Sequence, residues 1–272
     1  MTTSEHAAAA AADHPVAVRT SLDADTGIGR VVLDNPAQRN ALSTAVMRAV
    51  TAGLSSFAAD PDVRVVVITA TGPVFSAGHD LSEMIDRTVE DERVVFDACT
   101  EMMETVQRIP QPVIASVPGP AVAAGCQLVA ACDLAVASST AVFGTPGVRI
   151  GLFCSTPMVA VTRAVGRKRA MQMLLTGETI DAHTAADWGL INTVVDPDEL
   201  DAATAALAAK ISESSPLTLR IGKEAFYRQI DLPQHEAYEL MGETMATNAV
   251  TCDAQEGMSA FLAKRTPQWT GR

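Results

Sequence analysis

Two short glycine-bearing segments hold the groups best placed for chemistry, Phe75-Ser76-Ala77-Gly78-His79-Asp80 and Ala123-Ala124-Gly125-Cys126-Gln127. Each follows an apolar run and leads into a helical one. A helix N-terminus offers unpaired N–H groups and a partial positive charge. Two such loops facing each other aim two N–H groups at one oxygen. That is an oxyanion hole, whose donors help most as charge grows on the oxygen. On spacing alone, a pair of ordinary glycine turns remains the alternative. Gln127 is a neutral amide, which holds a water or carbonyl by hydrogen bonds but exchanges no proton at neutral pH. Cys154, Ser155 and Thr156 place a thiol and two hydroxyls at a further helix start. A thiol there has a lowered pKa and becomes nucleophilic; a buried structural cysteine is the alternative.

The elements that must position these groups follow from periodicity. Val16–Arg19 and Ile28–Leu33 read as paired strands around the turn "DADTG", and a helix starts near Ser43. Val63–Thr69 is a continuous β-branched run, as in a strand buried on both faces. The loop "GPVFSAGHDLSEM" enters a helix, and a long helix covers about Glu90 to Arg108. "PVIASVPG" and "LAVASST" are further strands, "AVFGTPGV" a short strand and turn, and "GLFCSTPMVAVTRAVG" a loop and helix. Helices follow at Arg167–Leu175 and from Ala182, then the strand "INTVV". Strand, glycine loop and helix alternate in a ββα cadence through residue 195. From there on the composition is helical, broken at Ser214–Pro216. Residues 16–195 therefore read as an α/β core and 196–272 as a helical extension. Residues 1–15, "MTTSEHAAAAAADHP", read as a disordered Ala-rich tail without a leader pattern.

The whole chain sets further bounds. With 272 residues and 48% hydrophobic content it can build a substantial core, but only 4% aromatics means packing through Ala, Val, Leu and Met. A net charge of −12 argues against sequence-independent nucleic-acid binding. The five cysteines (Cys99, Cys126, Cys132, Cys154, Cys252) are odd in number and lack metal-site spacing, so reduced thiols and no metal are expected. No apolar run is long enough to span a membrane, and a cytoplasmic protein is expected.

The segments "FSAGHDLSEM", "GPAVAAGCQLVAACDLAVAS", "FGTPGVRIGL", "AVGRKRAMQMLLTGETIDAHTAADWGLINTVV" and "AQEGMSAFLAKRTPQW" together resemble the crotonase, or enoyl-CoA hydratase/isomerase, superfamily. The resemblance runs from about Val16 to Trp269. It implies an α/β spiral of ββα repeats with a C-terminal helical trimerisation region, giving homotrimers or dimers of trimers. It implies a coenzyme A thioester as substrate or ligand and no permanently bound cofactor. The thioester carbonyl would sit between the N–H groups of His79 and Ala124, the latter position usually Gly. Coenzyme A would run along Arg39, Ala41, Ala77, His79, Asp80 and Leu81, with Phe261 and Lys264, and with Arg265 and Lys223 as further cations. Solvated loop or helix positions are the alternative for these charges. The His79 ring is expected to pack near the adenine or at a subunit contact, Asp80 to cap the helix at Leu81, and Glu83 to lie on a solvated face.

The family's hydratases use two glutamates. Carried onto this chain, the first falls at Gln127 and the second at Gly147, so both carboxylates are missing. A third position used in some members falls at Ser155, also neutral. A similar "FSAGHD" and C-terminal "QEGM" stretch occurs in methylmalonyl-CoA decarboxylases of the family, though these carry tyrosine in place of Cys154. "GLFCSTP" and "GKEAFYRQI" are most similar to a subgroup of hydratase-domain proteins that lack both glutamates. The resemblance thus implies an acyl-CoA-binding enzyme, nominally an enoyl-CoA hydratase/isomerase. The alternatives are a decarboxylase, a thioesterase-like reaction through Cys154 or Ser155, or a non-catalytic acyl-CoA-binding protein.

Overall fold

A computed structural model describes residues 17–272; the tail expected over 1–15 lies outside the described residues. The chain opens with a hairpin, β1 (Val18–Asp23) and β2 (Ile28–Leu33), paired antiparallel from Val18↔Leu33 to Asp23↔Ile28. The first strand thus starts and ends later than Val16–Arg19. Helix α1 (Thr44–Ala58) begins where Ser43 Oγ accepts the Val46 N–H, as an N-cap serine does. Then come β3 (Val65–Ala70), α2 (Val89–Arg108), β4 (Val113–Val117), the two-residue β5 (Ala121–Val122), α3 (Ala124–Ala131), β6 (Leu134–Ser138) and β7 (Val142–Gly144). Helix α2 is fixed by a capping box in which Thr88 and Asp91 satisfy each other's backbone N–H. Helices α4 (Ser155–Ala164) and α5 (Arg167–Thr176), strand β8 (Thr179–Asp181), α6 (Ala182–Trp188) and β9 (Thr193–Val195) follow, then α7 (Leu200–Ser212), α8 (Pro216–Gln229), α9 (Gln234–Ala249) and α10 (Cys252–Ala263).

The main sheet has the order β1-β2-β3-β4-β6-β9, parallel after the initial hairpin. A smaller sheet, β5-β7-β8, stands beside it. Strand β3 is buried on both faces. Val66 and Ile68 point into the core shared with α1, α2 and α3, while Val65 and Val67 join Ile28, Ile114 and Val136 under Leu200 and Ala208 of α7. The first helix after residue 196 is therefore a layer of the core, closing the sheet's second face.

Helix α8 is tied to the core by a buried ion pair. Lys223 Nζ lies 2.7 Å from Asp133 Oδ2 and donates to the Val106 and Gln111 carbonyls. Asp133 also accepts from Val113 N and Tyr227 Oη. Burial lowers the Lys223 pKa and the Asp133 charge opposes that shift. Every donor of the ammonium is thus engaged, which removes Lys223 from the expected coenzyme A cations, and Asp133 serves as a structural anchor. The C-terminal segment folds back on α10, where the buried Asp253 accepts from Ser215 Oγ, Thr270 and Gly271. Met102, Met103 and Met173 fill core, whereas Met171 is exposed.

Candidate active site

The loop after β3 is held between two other segments. On one side Leu42 N donates to Gly78 O at 2.8 Å, Asp80 N to Leu42 O at 3.3 Å and Ala77 N to Arg39 O at 3.0 Å. On the other, Phe75 N donates to Pro120 O and Val122 N to Ser76 O, both at 3.0 Å. The amide of buried Asn40 pins the turn by donating to the Thr71 and Val74 carbonyls. The bridge between Leu42 and His79 is made by the N–H groups of Leu42 and Asp80, so the His79 N–H takes no acceptor among the described residues. Ala124 opens α3, and a first-turn N–H has no intrahelical acceptor.

These two donors are brought together by small residues. Gly78 has φ +94°, and a Cβ there would lie 2.8 Å from Ala123 Cβ and 3.3 Å from Ala124 N. The strain of the second loop falls one residue before the donor: Ala124 is helical, but Ala123 has φ 50° and ψ −120°, a region that favours glycine.

The loops wall a cavity of about 630 Å³. Its lining comes from Ala77, His79 and Leu81 of the first loop, Phe96 of α2, Ala123 and Ala124 of the second loop, and the segment from Pro146 to Pro157. No carboxylate lines it. Gln127 is buried beside α2, with its Oε1 3.7 Å from Cys99 Sγ, and is not among the lining residues. Gly147 is a lining residue, but the chain itself fills the space in front of it. Leu152 N donates back to Gly147 O at 3.0 Å. The Leu152 carbonyl occupies the place of a Cβ on Gly147, with Cys154 Sγ 2.8 Å from that point.

Cys154 precedes the first turn of α4, yet burial raises its thiol pKa, and the Gly147 backbone only partly offsets this. The lowered pKa expected from the helix start is corrected accordingly, because desolvation of a thiolate outweighs the helix end. Ser155 lines the cavity with its Oγ turned to the Phe153 carbonyl at 3.3 Å. The His79 ring packs edge-on to Phe96, with centroids 5.5 Å apart. Neither of its nitrogens, both buried, makes a hydrogen bond. Burial lowers its pKa, while the Leu42 backbone, near the ring but outside hydrogen-bonding geometry, and the Glu83 charge act the other way.

Other residues expected at the site fall elsewhere. Asp80 caps the short 3-10 turn Leu81–Glu83, accepting from Ser82 N, so the element after the loop is a turn rather than a helix. Glu83 is engaged by α1, accepting from Thr44 N at 2.7 Å and Thr44 Oγ1 at 2.8 Å. Arg39 supports the first loop through its carbonyl, Ala41 N donates only to the Gln38 carbonyl, and neither lines the cavity. Phe261 and Lys264, at the end of α10, line no part of this cavity. Arg265 forms a two-pronged pair with Glu256 at 2.6 and 2.8 Å, which removes it from the free cations. Phe96, Ile150 and Phe153 are lining residues that sequence reasoning missed. They come from α2 and the turns before α4, and only the tertiary fold brings them to the loops.

A family model described as enoyl-CoA hydratase/isomerase matches residues 23–272. The chain is 47% identical over 252 residues to the enoyl-CoA hydratase domain-containing protein 3, mitochondrial, of Xenopus laevis, covering 92% of this chain and 86% of that protein. It superposes on the crystal structure of an enoyl-CoA hydratase from Mycobacterium smegmatis with TM-score 0.91 at 46% identity, covering 94% of this chain and 99% of the other. For human enoyl-CoA hydratase domain-containing protein 3 the TM-score is 0.90 at 44% identity, covering 93% and 100%. The two facing loops and the helical C-terminal third thus sit in a crotonase fold, and the chain belongs to the enoyl-CoA hydratase/isomerase family.

Proposed function

We propose that the cavity binds a coenzyme A thioester and polarises its carbonyl between the N–H groups of His79 and Ala124. The observation that carries this reading is the pair of acceptor-free backbone donors meeting at the wall of one cavity. Such donors stabilise the negative charge of an enolate or a tetrahedral adduct more than the starting carbonyl, and so lower a barrier. The nominal hydratase reaction needs two carboxylates at the substrate's α and β carbons. Here Gln127 is neutral and packed against Cys99, and Gly147 has no side chain. The reading is therefore an acyl-CoA enzyme whose chemistry runs through carbonyl polarisation, with hydration by a glutamate pair lost.

The helices after residue 196 are proposed to build a homotrimer or a dimer of trimers, with Phe226, Tyr238, Phe261 and Leu262 as exposed apolar groups available for it. A division into a spiral core over 16–195 and a helical region over 196–272, whose first helix α7 serves as a layer of that core, and a cytoplasmic location, belong to the same proposal. The test is titration with crotonyl-CoA, following enoyl absorbance and thiol release together. Binding without fast hydration supports the reading. No binding at millimolar ligand would overturn it. Thiol release would turn the reading to a thioesterase.

A further inference from the structure

Among the residues that line the cavity, few can carry a proton. The second glutamate position is closed by the Leu152 carbonyl and the Cys154 thiol, and the first lies outside the lining. The Arg149 guanidinium offers donors and no acceptor, and the hydroxyls of Ser155 and Thr156 need a base of their own. Burial disfavours the Cys154 thiolate. His79 remains. Its imidazole stands on the residue whose backbone N–H is one of the two proposed carbonyl donors. Both ring nitrogens are buried and neither makes a hydrogen bond. Native proteins leave few buried polar groups unpaired, and those that remain concentrate where a reaction or a ligand uses them.

We propose that the His79 imidazole is the general base of this site, taking a proton from C2 of the bound acyl thioester. This rests on the thioester reading above. In the step, the C2–H bond breaks and the proton passes to a ring nitrogen. The C–H electron pair forms the C1–C2 double bond, and the carbonyl π pair moves to oxygen, where the His79 and Ala124 N–H groups hold the enolate. Return of a proton from the ring to C2 closes the cycle with no other reactant. To reach C2 the ring turns about its Cα–Cβ bond, giving up the edge contact with Phe96. The charge that acts on the ring is Glu83; Asp80 is its neighbour in the chain, Glu92 lies one turn before Phe96 on α2, and Arg149 and Cys154 line the same cavity. Burial keeps the ring neutral, the form that accepts a proton, down to below its ordinary 6.5.

The test is deuterium uptake at C2 of butyryl-CoA in heavy water, read by mass spectrometry, with binding measured separately by calorimetry. The protein should exchange C2 hydrogen at a rate that rises with pH to a plateau reached near neutrality. His79→Ala and His79→Gln keep the backbone N–H, so they should bind butyryl-CoA within a few-fold of the unaltered protein. Their exchange should fall by about 10²- to 10⁴-fold, the usual worth of a positioned base, and the pH dependence should vanish. Exchange retained in both variants with the same pH profile would overturn the assignment. Binding without any exchange in the unaltered protein would also overturn it while leaving the thioester reading intact. Absence of binding would overturn both.

Discussion

The Leu152 carbonyl stands where a Cβ on Gly147 would have to go, and Cys154 Sγ lies 2.8 Å from the same point. A side chain at position 147 therefore has no room unless the Leu152–Cys154 wall moves. Gly147→Glu is expected to give no crotonyl-CoA hydration and to lower stability by about 1–3 kcal/mol, as overpacking does. Urea melts beside a hydration assay check this; hydration gained with an unshifted melt would show that the strap yields freely. Adding Gln127→Glu should lower stability further, since it places a carboxylate in a buried slot against Cys99.

Ala123 sits at φ 50° with its Cβ facing Gly78. Ala123→Gly should raise stability by about 1 kcal/mol by relieving the positive φ. Gly78→Ala should lower it, both through its own φ of +94° and through the Ala123 Cβ. The double variant should be more stable than the sum of the singles, because one of the two clashing methyls is gone. Additive melting free energies would show that the methyls do not meet.

Removing Lys223 leaves the largely buried Asp133 charge without its counter-ion. Lys223→Ala is expected to cost about 3–5 kcal/mol, the usual result of breaking a buried pair. Lys223→Met with Asp133→Asn should recover part of that loss in denaturant melts. A cost below 1 kcal/mol for the single change would mean that water reaches the pair.

The thiols should divide sharply. Cys252 is exposed, while burial pushes Cys99 and Cys126 to about 12 and raises Cys132 and Cys154. An alkylating reagent at pH 8 should modify Cys252 rapidly and the other four only after unfolding. Rapid labelling of Cys154, located by peptide mass mapping, would restore the nucleophilic thiol.

Burial works against the Asp253 carboxylate, but bonds from Ser215, Thr270 and Gly271 outweigh it and hold its pKa at about 2, below the ordinary 3.8. The folded state thus binds this proton less readily than the unfolded chain. The stabilisation is full above 3.8 and is lost as pH falls toward 2. Asp253→Asn should flatten the acid limb of a stability-against-pH curve in that window. An unchanged limb would mean that other carboxylates set it.

Much of this architecture is legible in the residues. The β-branched run around Val65–Ile68 announces a strand covered on both sides, Ser43 marks a helix start, Ser214–Pro216 marks a helix break, and the two glycine loops stand out by their place after buried strands. What stays hidden depends on distant partners. The three-residue strand Thr179–Asp181 has no periodicity of its own and exists because β7 pairs with it. Glu83 looks like a solvated side chain until Thr44, far off in sequence, brings a helix N-terminus to it. Lys223 looks like a surface cation for the same reason. The Cys154 thiol shows the competition most plainly: its helix start is local and visible, while the burial that overrides it belongs to the whole fold. Gln127 is legible as a lost acid, but its packing against Cys99 of α2 is not.

The clamping of the first loop between Arg39–Leu42 and Pro120–Val122 also has a meaning in time. Closing contacts between segments so far apart in sequence costs chain entropy that nearby contacts do not, so such pairings tend to form late. The proposed carbonyl-binding geometry exists only when all three segments have docked. A chain caught with its helices formed but its sheet incomplete would carry every residue of the site and have no site, so acyl-CoA binding during refolding should report the last step of assembly rather than the first.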